Sequence, residues 1–524
     1  MKRTQGIVGA CLLVVMLLSF SGNLQAQEEQ QLVIGWPQDV ITLDPDRAYE
    51  VYAMMVLNGM YDQLVKFAGR IDQVTPHLAT SWDISEDGLT YTFTLRSDVK
   101  FSSGNPLTAQ DVKWTFDRLK HLKSNASFLA ANIAKVEAPD DTTVVVTMAT
   151  ADASFLSKLA SPNFGILDSE TVKANGGAAG EDASSADDAQ NWLDHQSAGS
   201  GPFILEKFVP DAEIILVRNE NYWKGPAPIQ RIHFQNITDP NTQLLMLQKG
   251  DIDIAMGLGP EHAQMVENLP DTTVLPVTTL TMSFLLMNDD PELAGPIANK
   301  DVRRAIKYAI DYKGLQMIAG KGAVTPISVI QIGFLGALPP RDPDFTDLDK
   351  AKELLTKAGY PDGFETNIDT ISYLHDGLNW LTVAEKVAAD LAKIGIKATI
   401  RPKELTVGLD EYRKGQWALA TAGWSPDFLD ATNQLVFLPG EKVGLRANWK
   451  LEANPGLAEL GKKAEVETDR EKRAKLLEDI QRQMDEDSPF LVLVQHPSRL
   501  AFRDDVKGVA WHENYKIEVY NLSK

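Results

Sequence analysis

The chain has almost no cysteine. Its 524 residues include one, Cys11, which lies inside an apolar run near the start. The sequence after that run therefore offers neither a disulfide nor a thiol nucleophile. A chain of this length can bury a large hydrophobic core without cross-links. We expect packing alone to stabilise the fold.

Positive charge is also scarce. The 51 Lys and Arg residues are outnumbered by 72 Asp and Glu, which gives a formal net charge of −21. Such a protein repels phosphate groups, so a nucleic-acid partner and docking on anionic lipid are disfavoured. The hydrophobic fraction of 44% and the charged fraction of 23% are typical of a soluble globular protein. At about 100–200 residues per domain, the length indicates about three domains.

Long apolar runs are missing except at the start. A positively charged beginning, the apolar run 7–20 and a small-residue site before Gln27 predict a secretory signal peptide over residues 1–26. Cys11 precedes most of the run, so a lipid-attachment cysteine is the less favoured interpretation. No later stretch reaches the ~18 apolar residues of a membrane span. We therefore expect an exported, soluble, periplasmic protein.

Catalytic signatures are absent as well. The segment 423–427, GWSPD, lacks the closing glycine of a nucleophile elbow, and 257–259, GLG, lacks the later glycine of a dinucleotide loop. The eight histidines are scattered without ligand spacing, so we predict neither a metal nor a cofactor. No catalytic residue is assigned. An exported hydrolase stays open, because carboxylate chemistry needs no linear signature.

Secondary-structure patterns change between the two halves of the chain. Short β-branched or alternating runs predict strands at 32–36, 91–96, 135–138, 143–148, 214–217 and 231–235. Helical periodicity dominates later, and caps are expected at Thr108, Asp349 and Thr468. The Gly/Ala/Ser/Asp-rich segment 174–189 predicts a loop or a domain junction. The mixture favours α/β or α+β domains.

Several longer motifs occur in a fixed order. They are LDP at 43–45, NGMYDQLV at 58–65, PHLATSWDISEDGLTYTFTLRSDVKFSSGNPLTAQDVKWTFDR at 76–118, SGPF at 200–203, RNENYWKGPAP at 218–228, LQKGDIDIA at 247–255, DVRRAIKYAID at 301–311, AKELLTKAGYPDGF at 351–364 and GW-x-x-D at 423–427. Along nearly the whole chain after residue 26, this series resembles the extracellular solute-binding proteins of family 5. That family comprises the peptide/nickel-type periplasmic receptors of ABC importers. The block at 76–118 is the most specific part of the resemblance.

The resemblance implies an α/β, two-lobed periplasmic-binding-protein fold of the cluster C, Venus-flytrap type, with an extra third domain. The implied divisions are a discontinuous lobe I of 27–72, 196–284 and 489–524, an extra domain II of 73–195, and a lobe II of 285–488. A monomer without enzymatic activity is implied. It would capture a small peptide-like solute and deliver it to an inner-membrane ABC permease with its ATPase subunits.

The resemblance also points to ligand-binding residues. In peptide-binding relatives the G-W-x-x-D segment lines the cleft, and its aspartate binds the α-ammonium of the ligand. The matching residues are Gly423, Trp424, Ser425 and Asp427, and Tyr49 is a further cleft candidate by position. Two alternatives stay open: Asp427 as a turn-forming residue, and Trp424 as ordinary core.

The ligand is less well specified. Dipeptide receptors tend to carry an arginine about fifty residues before G-W-x-x-D, and the stretch 371–376 has none. Asp430 is followed by alanine, where relatives often have proline. A dipeptide is therefore disfavoured, whereas longer peptides, opines, glycosides and other amphiphilic solutes remain open. A chemotaxis or chaperone role would use the same closed form, and the histidines give no nickel site.

Overall fold

Long-range strand pairing organises the chain. In the computed structural model, the residues described are 30–69, 71, 73–375 and 377–524. The predicted signal peptide and Cys11 lie outside them. The strands are β1 Gln31–Trp36, β2 Val65–Phe67, β3 Val74–Pro76, β4 Ala79–Ile84, β5 Thr90–Leu95, β6 Ile133–Glu137, β7 Thr143–Met148, β8 Phe203–Val209, β9 Glu213–Arg218, β10 Arg231–Asn236, β11 Ile254–Ala255, β12 Thr272–Met287, β13 Glu365–Ile371, β14 Leu374–His375, β15 Leu378–Asn379, β16 Lys397–Lys403, β17 Leu419–Trp424, β18 Phe490–Arg503, β19 Trp511–His512 and β20 Lys516–Ile517.

Helices alternate with these strands along much of the chain. The α-helices are α1 Val51–Met60, α2 Ala109–His121, α3 Phe155–Leu159, α4 Ser169–Ala174, α5 Ala183–Ala186, α6 Gln190–Leu193, α7 Pro240–Lys249, α8 Pro260–Val266, α9 Pro291–Ala294, α10 Lys300–Ala309, α11 Tyr312–Ala319, α12 Leu348–Lys357, α13 Trp380–Ala392, α14 Leu405–Arg413, α15 Pro455–Val466 and α16 Arg470–Glu486. None in the described part of the chain is long and apolar enough to cross a membrane.

The largest sheet has ten strands in the order β16-β13-β17-β12-β18-β11-β1-β10-β9-β8. Two long antiparallel strands, β12 and β18, lie at its middle. The first part of β12 pairs with the last part of β18, from Thr272 with Arg503 onward, and β18 there adjoins β11. The last part of β12 pairs with the start of β18 on one side and with β17 on the other. These two strands therefore join two halves of the molecule, and their register shifts between Thr278 and Met282.

A separate four-stranded sheet, β4-β5-β7-β6, lies within the region predicted as the extra domain. Alternation along it is regular: β7 shows Val144, Val146 and Met148 buried. Helix α2 packs against this sheet and starts as predicted, with Thr108 and Asp111 forming a reciprocal capping box. The strand predictions at 91–96 and 143–148 are confirmed within one residue.

Two other predicted caps are wrong by two residues and one residue. Helix α12 is capped by Asp347, whose side chain accepts the Lys350 N–H, so Asp349 lies in its first turn. Helix α16 is capped by Asp469 rather than Thr468. In each case a carboxylate within two residues of the predicted cap reaches the free N–H groups of the first turn, and a short sequence pattern leaves this choice open.

Asp62 is the centre of a buried polar cluster that links four of the family motifs. Its carboxylate accepts hydrogen bonds from Ser200 Oγ at 2.9 Å, Trp223 Nε1 at 2.9 Å and Tyr222 OH at 3.2 Å. His77 Nε2 lies 2.6 Å from Asp62 Oδ1. These motif residues are therefore structural, as the sequence patterns around the N-Y-W turn indicate.

Arg118 is the centre of a second buried cluster. Its guanidinium pairs with Asp44 at 2.6 Å, Asp46 at 2.7 Å and Asp187 at 2.8 Å. Asp44 belongs to the LDP motif, and Asp187 belongs to the low-complexity segment predicted as a loop or junction. That segment contains the short helix α5. The cluster thus ties the LDP segment to helix α2, which packs against the four-stranded sheet.

Candidate functional site

A cavity of about 640 Å³ lies beside the paired strands β12 and β18, where Leu280, Thr281 and Ser498 contribute to its wall. Its wall is contributed by both halves of the large sheet. From the first half come Gln38, Tyr49, Val51, Tyr52, Met54, Met256, Gly257, Leu258 and the tail residues Glu513, Asn514 and Lys516; from the second come Ser372, Tyr373, Gly377, Ser425, Pro426, Asp427 and Leu429. The wall contains both apolar and polar side chains, as in sites for amphiphilic solutes.

Strand β17 delivers the G-W-x-x-D segment to the cavity. Its last residues, Gly423 and Trp424, pair with Ser283 and Met282 of β12. A Cβ atom on Gly423 would lie 2.5 Å from Cζ2 of Trp380. Glycine is therefore required there because an indole ring packs directly on the backbone. Neither Gly423 nor Trp424 is among the described residues that line the cavity.

The Trp424 ring packs edge-on against Phe437, with ring centroids 5.2 Å apart, next to the core of the second half. Of the two alternatives for Trp424, a cleft wall and ordinary core, this packing favours the core. The chain then leaves β17 and enters the cavity wall.

Ser425 and Asp427 do line the cavity. Ser425 Oγ is hydrogen-bonded to Thr281 Oγ1 at 2.9 Å, which holds the loop against β12 near its register shift. The backbone N–H of Asp427 donates to Asn433 Oδ1 at 3.2 Å. These bonds orient the Asp427 carboxylate without using it.

Tyr49 reaches that carboxylate from the other half of the molecule. Its hydroxyl donates a hydrogen bond to Asp427 Oδ1. The Tyr49 ring packs edge-on against Phe128 at 6.1 Å, just before helix α1. Burial raises the pKa of the Tyr49 hydroxyl, and the Asp427 charge and hydrogen bond raise it further. Tyr49 therefore remains a proton donor throughout the physiological pH range.

Several wall residues were not predicted from the sequence. Gly257 and Leu258 belong to the G-L-G segment interpreted as a loop, and they form part of the cavity wall. Glu513 and Lys516 come from the C-terminal tail. The Glu513 carboxylate accepts the Leu280 N–H at 3.1 Å and Trp511 Nε1–H at 2.8 Å. No sequence pattern links Glu513 or Lys516 to the loop at 425–429, which lies more than eighty residues earlier in the chain.

The stretch 371–376, which contains no arginine, also reaches the cavity. Ser372 and Tyr373 form part of its wall. Asp376 lies outside the described residues. No group of three or more metal-ligating side chains occurs in the part of the chain that the structure describes.

Comparison with known proteins identifies the family. The family model for bacterial extracellular solute-binding proteins, family 5 (middle region), matches residues 73–443. The chain belongs to this family. The matched region includes the four-stranded sheet and the whole G-W-x-x-D segment, whereas Tyr49 and Lys516 lie outside it.

Relatives of family 5 match over most of the chain. One is the probable D,D-dipeptide-binding periplasmic protein DdpA of Escherichia coli, 28% identical over all of this chain and 99% of its own. Heme-binding protein A of Haemophilus influenzae is 30% identical over 86% of this chain and 84% of its own. The solved structure of Helicobacter pylori DppA in complex with the peptide STSA has a TM-score of 0.74 at 28% identity. It covers 94% of this chain and 97% of its own.

These similarities establish the fold class. The protein has the mixed α/β architecture of periplasmic binding proteins, with β12 and β18 passing between the two halves that face the cavity. Family 5 consists of solute-binding proteins, so the cavity is a candidate ligand site rather than a candidate active site.

Proposed function

We propose that this protein is the periplasmic solute receptor of an ABC importer and that it captures a peptide or peptide-like solute. The observation that carries the proposal is the Tyr49–Asp427 pair inside a cavity lined by both halves of the molecule. A carboxylate held by residues on two sides of a cavity is a counter-ion for the α-ammonium group of a ligand.

The proposed binding residues are Asp427, Ser425 and Tyr49, supported from behind by Gly423 and Trp424. Asp427 accepts the ligand ammonium. Ser425 and the backbone around it offer hydrogen bonds to an extended peptide, as an added strand would receive them. Tyr49 donates to the same carboxylate and fixes its orientation.

Capture depends on closure of the two halves. A solute that contacts both walls binds the closed state more tightly than the open one, so it shifts the equilibrium towards closure. The β12 and β18 strands are the connection about which the halves rotate. Closure excludes water, and the lower dielectric strengthens the pair between Asp427 and an ammonium group.

We propose lobe boundaries that follow the same connection: lobe I at 27–72, 196–284 and 489–524, domain II at 73–195 and lobe II at 285–488. The closed monomer then docks on an inner-membrane permease, whose ATPase subunits drive release. A secretory signal peptide at 1–26 brings the chain to the periplasm. The chain itself performs no covalent chemistry in this role.

The proposal is tested with purified protein and defined solutes. Released ligand is first identified by mass spectrometry after denaturation. Thermal unfolding is then followed with Ser-Thr-Ser-Ala, D-Ala-D-Ala, heme and a neutral glycoside. A ligand at one hundred times its Kd stabilises the folded state by about 2.7 kcal/mol.

We expect a peptide to give this shift, with no cleaved product in the mixture. A shift with heme or the glycoside and none with any peptide would assign the receptor to a different solute. Appearance of hydrolysed peptide would replace the receptor role by a hydrolase.

A further inference from the structure

Arg499 lies at the seam between the two halves of the molecule. It belongs to β18 and pairs with Pro276 of β12, on the side of the register shift that adjoins β11 and the first half. Its guanidinium reaches across to the second half, where Nη2 donates a hydrogen bond of 2.5 Å to the carbonyl oxygen of Ala319, the last residue of α11. Rotation of the halves about the register shift would therefore separate Arg499 from Ala319.

The charge of Arg499 is buried without an opposite charge. The residue is 5% exposed, although arginine is seldom buried unless it is paired. Its other described hydrogen bond goes to the carbonyl oxygen of Pro497 at 3.5 Å, and no carboxylate of the described residues pairs with it. Arg118, by contrast, is buried among three carboxylates. Burial lowers the pKa of the Arg499 guanidinium, so its surroundings here are less favourable for the charge than water.

Two glycines of the second half cover the guanidinium. A Cβ atom on Gly320 would overlap Nη2 of Arg499, and one on Gly377 would lie 3.8 Å from Nη1. Gly320 has a φ angle of 93°, which a residue with a side chain would adopt only with strain. The Cβ position on Gly320 also lies 3.4 Å from Cβ of Pro260, in the first half. The guanidinium is thus enclosed where the halves meet, and their separation would return it to water.

We propose that Arg499 biases the receptor towards its open conformation when no solute is bound. In the conformation described here, Tyr49 reaches Asp427 across the cavity, as expected of the closed state. Closing encloses the Arg499 charge beneath Gly320 without a counter-ion. Closure is therefore unfavourable until a solute that contacts both halves compensates for it.

This inference rests on the proposed receptor function and adds to it a residue that sets the equilibrium between the two states. Arg499 is not among the described residues that line the cavity. Its substitution therefore acts on affinity through the fraction of closed molecules, because apparent affinity falls as the binding-competent fraction falls.

The experiment measures the radius of gyration without solute, by small-angle X-ray scattering, and the affinity for Ser-Thr-Ser-Ala, by calorimetry. The proteins are the wild type, the neutral variants Arg499→Met and Arg499→Gln, and the charged variant Arg499→Lys. The glutamine keeps an N–H donor, so it separates the charge from the hydrogen bond. Arg503→Met is the matched control. Arg503 lies on the same strand, but its side chain lies beside Gly250 of the first half and pairs with Asp505 at 3.8 Å.

We expect both neutral variants to have a smaller radius of gyration than the wild type without solute. They should bind the peptide at least about threefold more tightly, because more molecules are closed before binding. Arg499→Lys and Arg503→Met should keep the wild-type radius and an affinity within about twofold of the wild-type value.

An unchanged or larger radius in the neutral variants would overturn the role of Arg499. So would a smaller radius in Arg499→Lys, or a smaller radius in the neutral variants without tighter binding of a peptide that the wild type binds. Failure of the peptide to bind the wild type would count against the peptide proposal alone, since scattering without solute still decides this inference.

Discussion

The hydroxyl group of Tyr49 donates a hydrogen bond to Oδ1 of Asp427, and the two residues are 378 positions apart in the sequence. The bond connects the chain just before α1 with the loop after β17. It occupies one carboxylate oxygen of Asp427, a residue that lines the cavity. A ligand ammonium can therefore bind Asp427 while Tyr49 still orients it.

Replacement of Asp427 by asparagine should weaken a peptide with a free amino terminus. The change keeps shape and hydrogen bonding but removes the charge, and we expect a loss of roughly 2–5 kcal/mol, the scale for a buried charged pair. The affinity for N-acetylated Ser-Thr-Ser-Ala, which has no free ammonium group, should fall far less on the same substitution. Calorimetry with both peptides measures the difference. Asp410→Asn, at an exposed carboxylate paired with Lys414, is the control and should change neither affinity.

A Cβ atom at Gly423 should destabilise the fold and disturb the site together. Gly423→Ala places this atom 2.5 Å from the Trp380 ring, which is closer than two non-bonded carbon atoms can approach, so the ring or the strand must shift. We expect a loss of about 1–3 kcal/mol in the free energy of unfolding, as for overpacking elsewhere. Urea unfolding provides the measurement. Gly456→Ala meets nothing closer than 3.7 Å and should lose nothing; equal losses at both sites would argue against the packing explanation.

His77 should make the protein sensitive to acid. Burial lowers the pKa of His77 to about 4, and the Lys66 charge acts in the same direction. Lys224 Nζ lies 3.0 Å from Nδ1, so the neutral ring carries its proton on Nε2 and donates it to Asp62. An unfolded histidine titrates near 6.5. Its stabilising contribution is thus complete above pH 6.5 and is lost as the pH falls through 4.

We expect His77→Gln to flatten part of this loss between pH 6.5 and pH 4, measured by urea midpoints across that window. Burial likewise lowers the pKa of His512 to about 4, so a second variant, His512→Gln, separates the two contributions. A pH profile unchanged by both substitutions would contradict the assignment of neutral histidines.

Asp46 should respond to pH in the opposite sense. Burial raises the pKa of this carboxyl to about 8, despite the nearby Arg118. Its value in the unfolded chain is near 3.9. Folding therefore favours the protonated group, and this contribution is complete below pH 4 and is lost as the pH rises through 8. The free energy of unfolding of Asp46→Asn, measured with urea and compared with that of the wild type, should rise from pH 5 to pH 9. A difference that stays constant over this range would contradict the raised pKa of Asp46.

Loss of Arg118 should be far more damaging than loss of Asp46. Arg118→Met leaves Asp44 and Asp187 buried without their main cation, and breaking such a pair costs roughly 3–5 kcal/mol. We expect a lower thermal midpoint and weaker association of the segment 174–189 with α2, detectable by hydrogen exchange. Arg96→Met, at a more exposed pair with Asp98, is the control.

Local features of this protein were predictable because they depend on neighbouring residues. The alternation of β7 and the Thr108 capping box are examples, and so are the motifs that identify family 5. Even the caps at Asp347 and Asp469 were missed by only two residues and one residue. Residues close in sequence interact through short-range geometry, which a linear pattern records directly.

The site required the tertiary structure. Asp427 and Ser425 were named from a motif, but their contacts with Tyr49 and Thr281 arise only because β12 and β18 pair across more than two hundred residues. The tail residues Glu513 and Lys516, which line the cavity, were not predicted at all. Their place in the wall depends on how the C-terminal tail packs beside β12, and this packing leaves no sequence pattern. Which distant side chains meet is decided by long-range packing, since the hydrophobic effect that drives it is non-directional and does not encode the pairs.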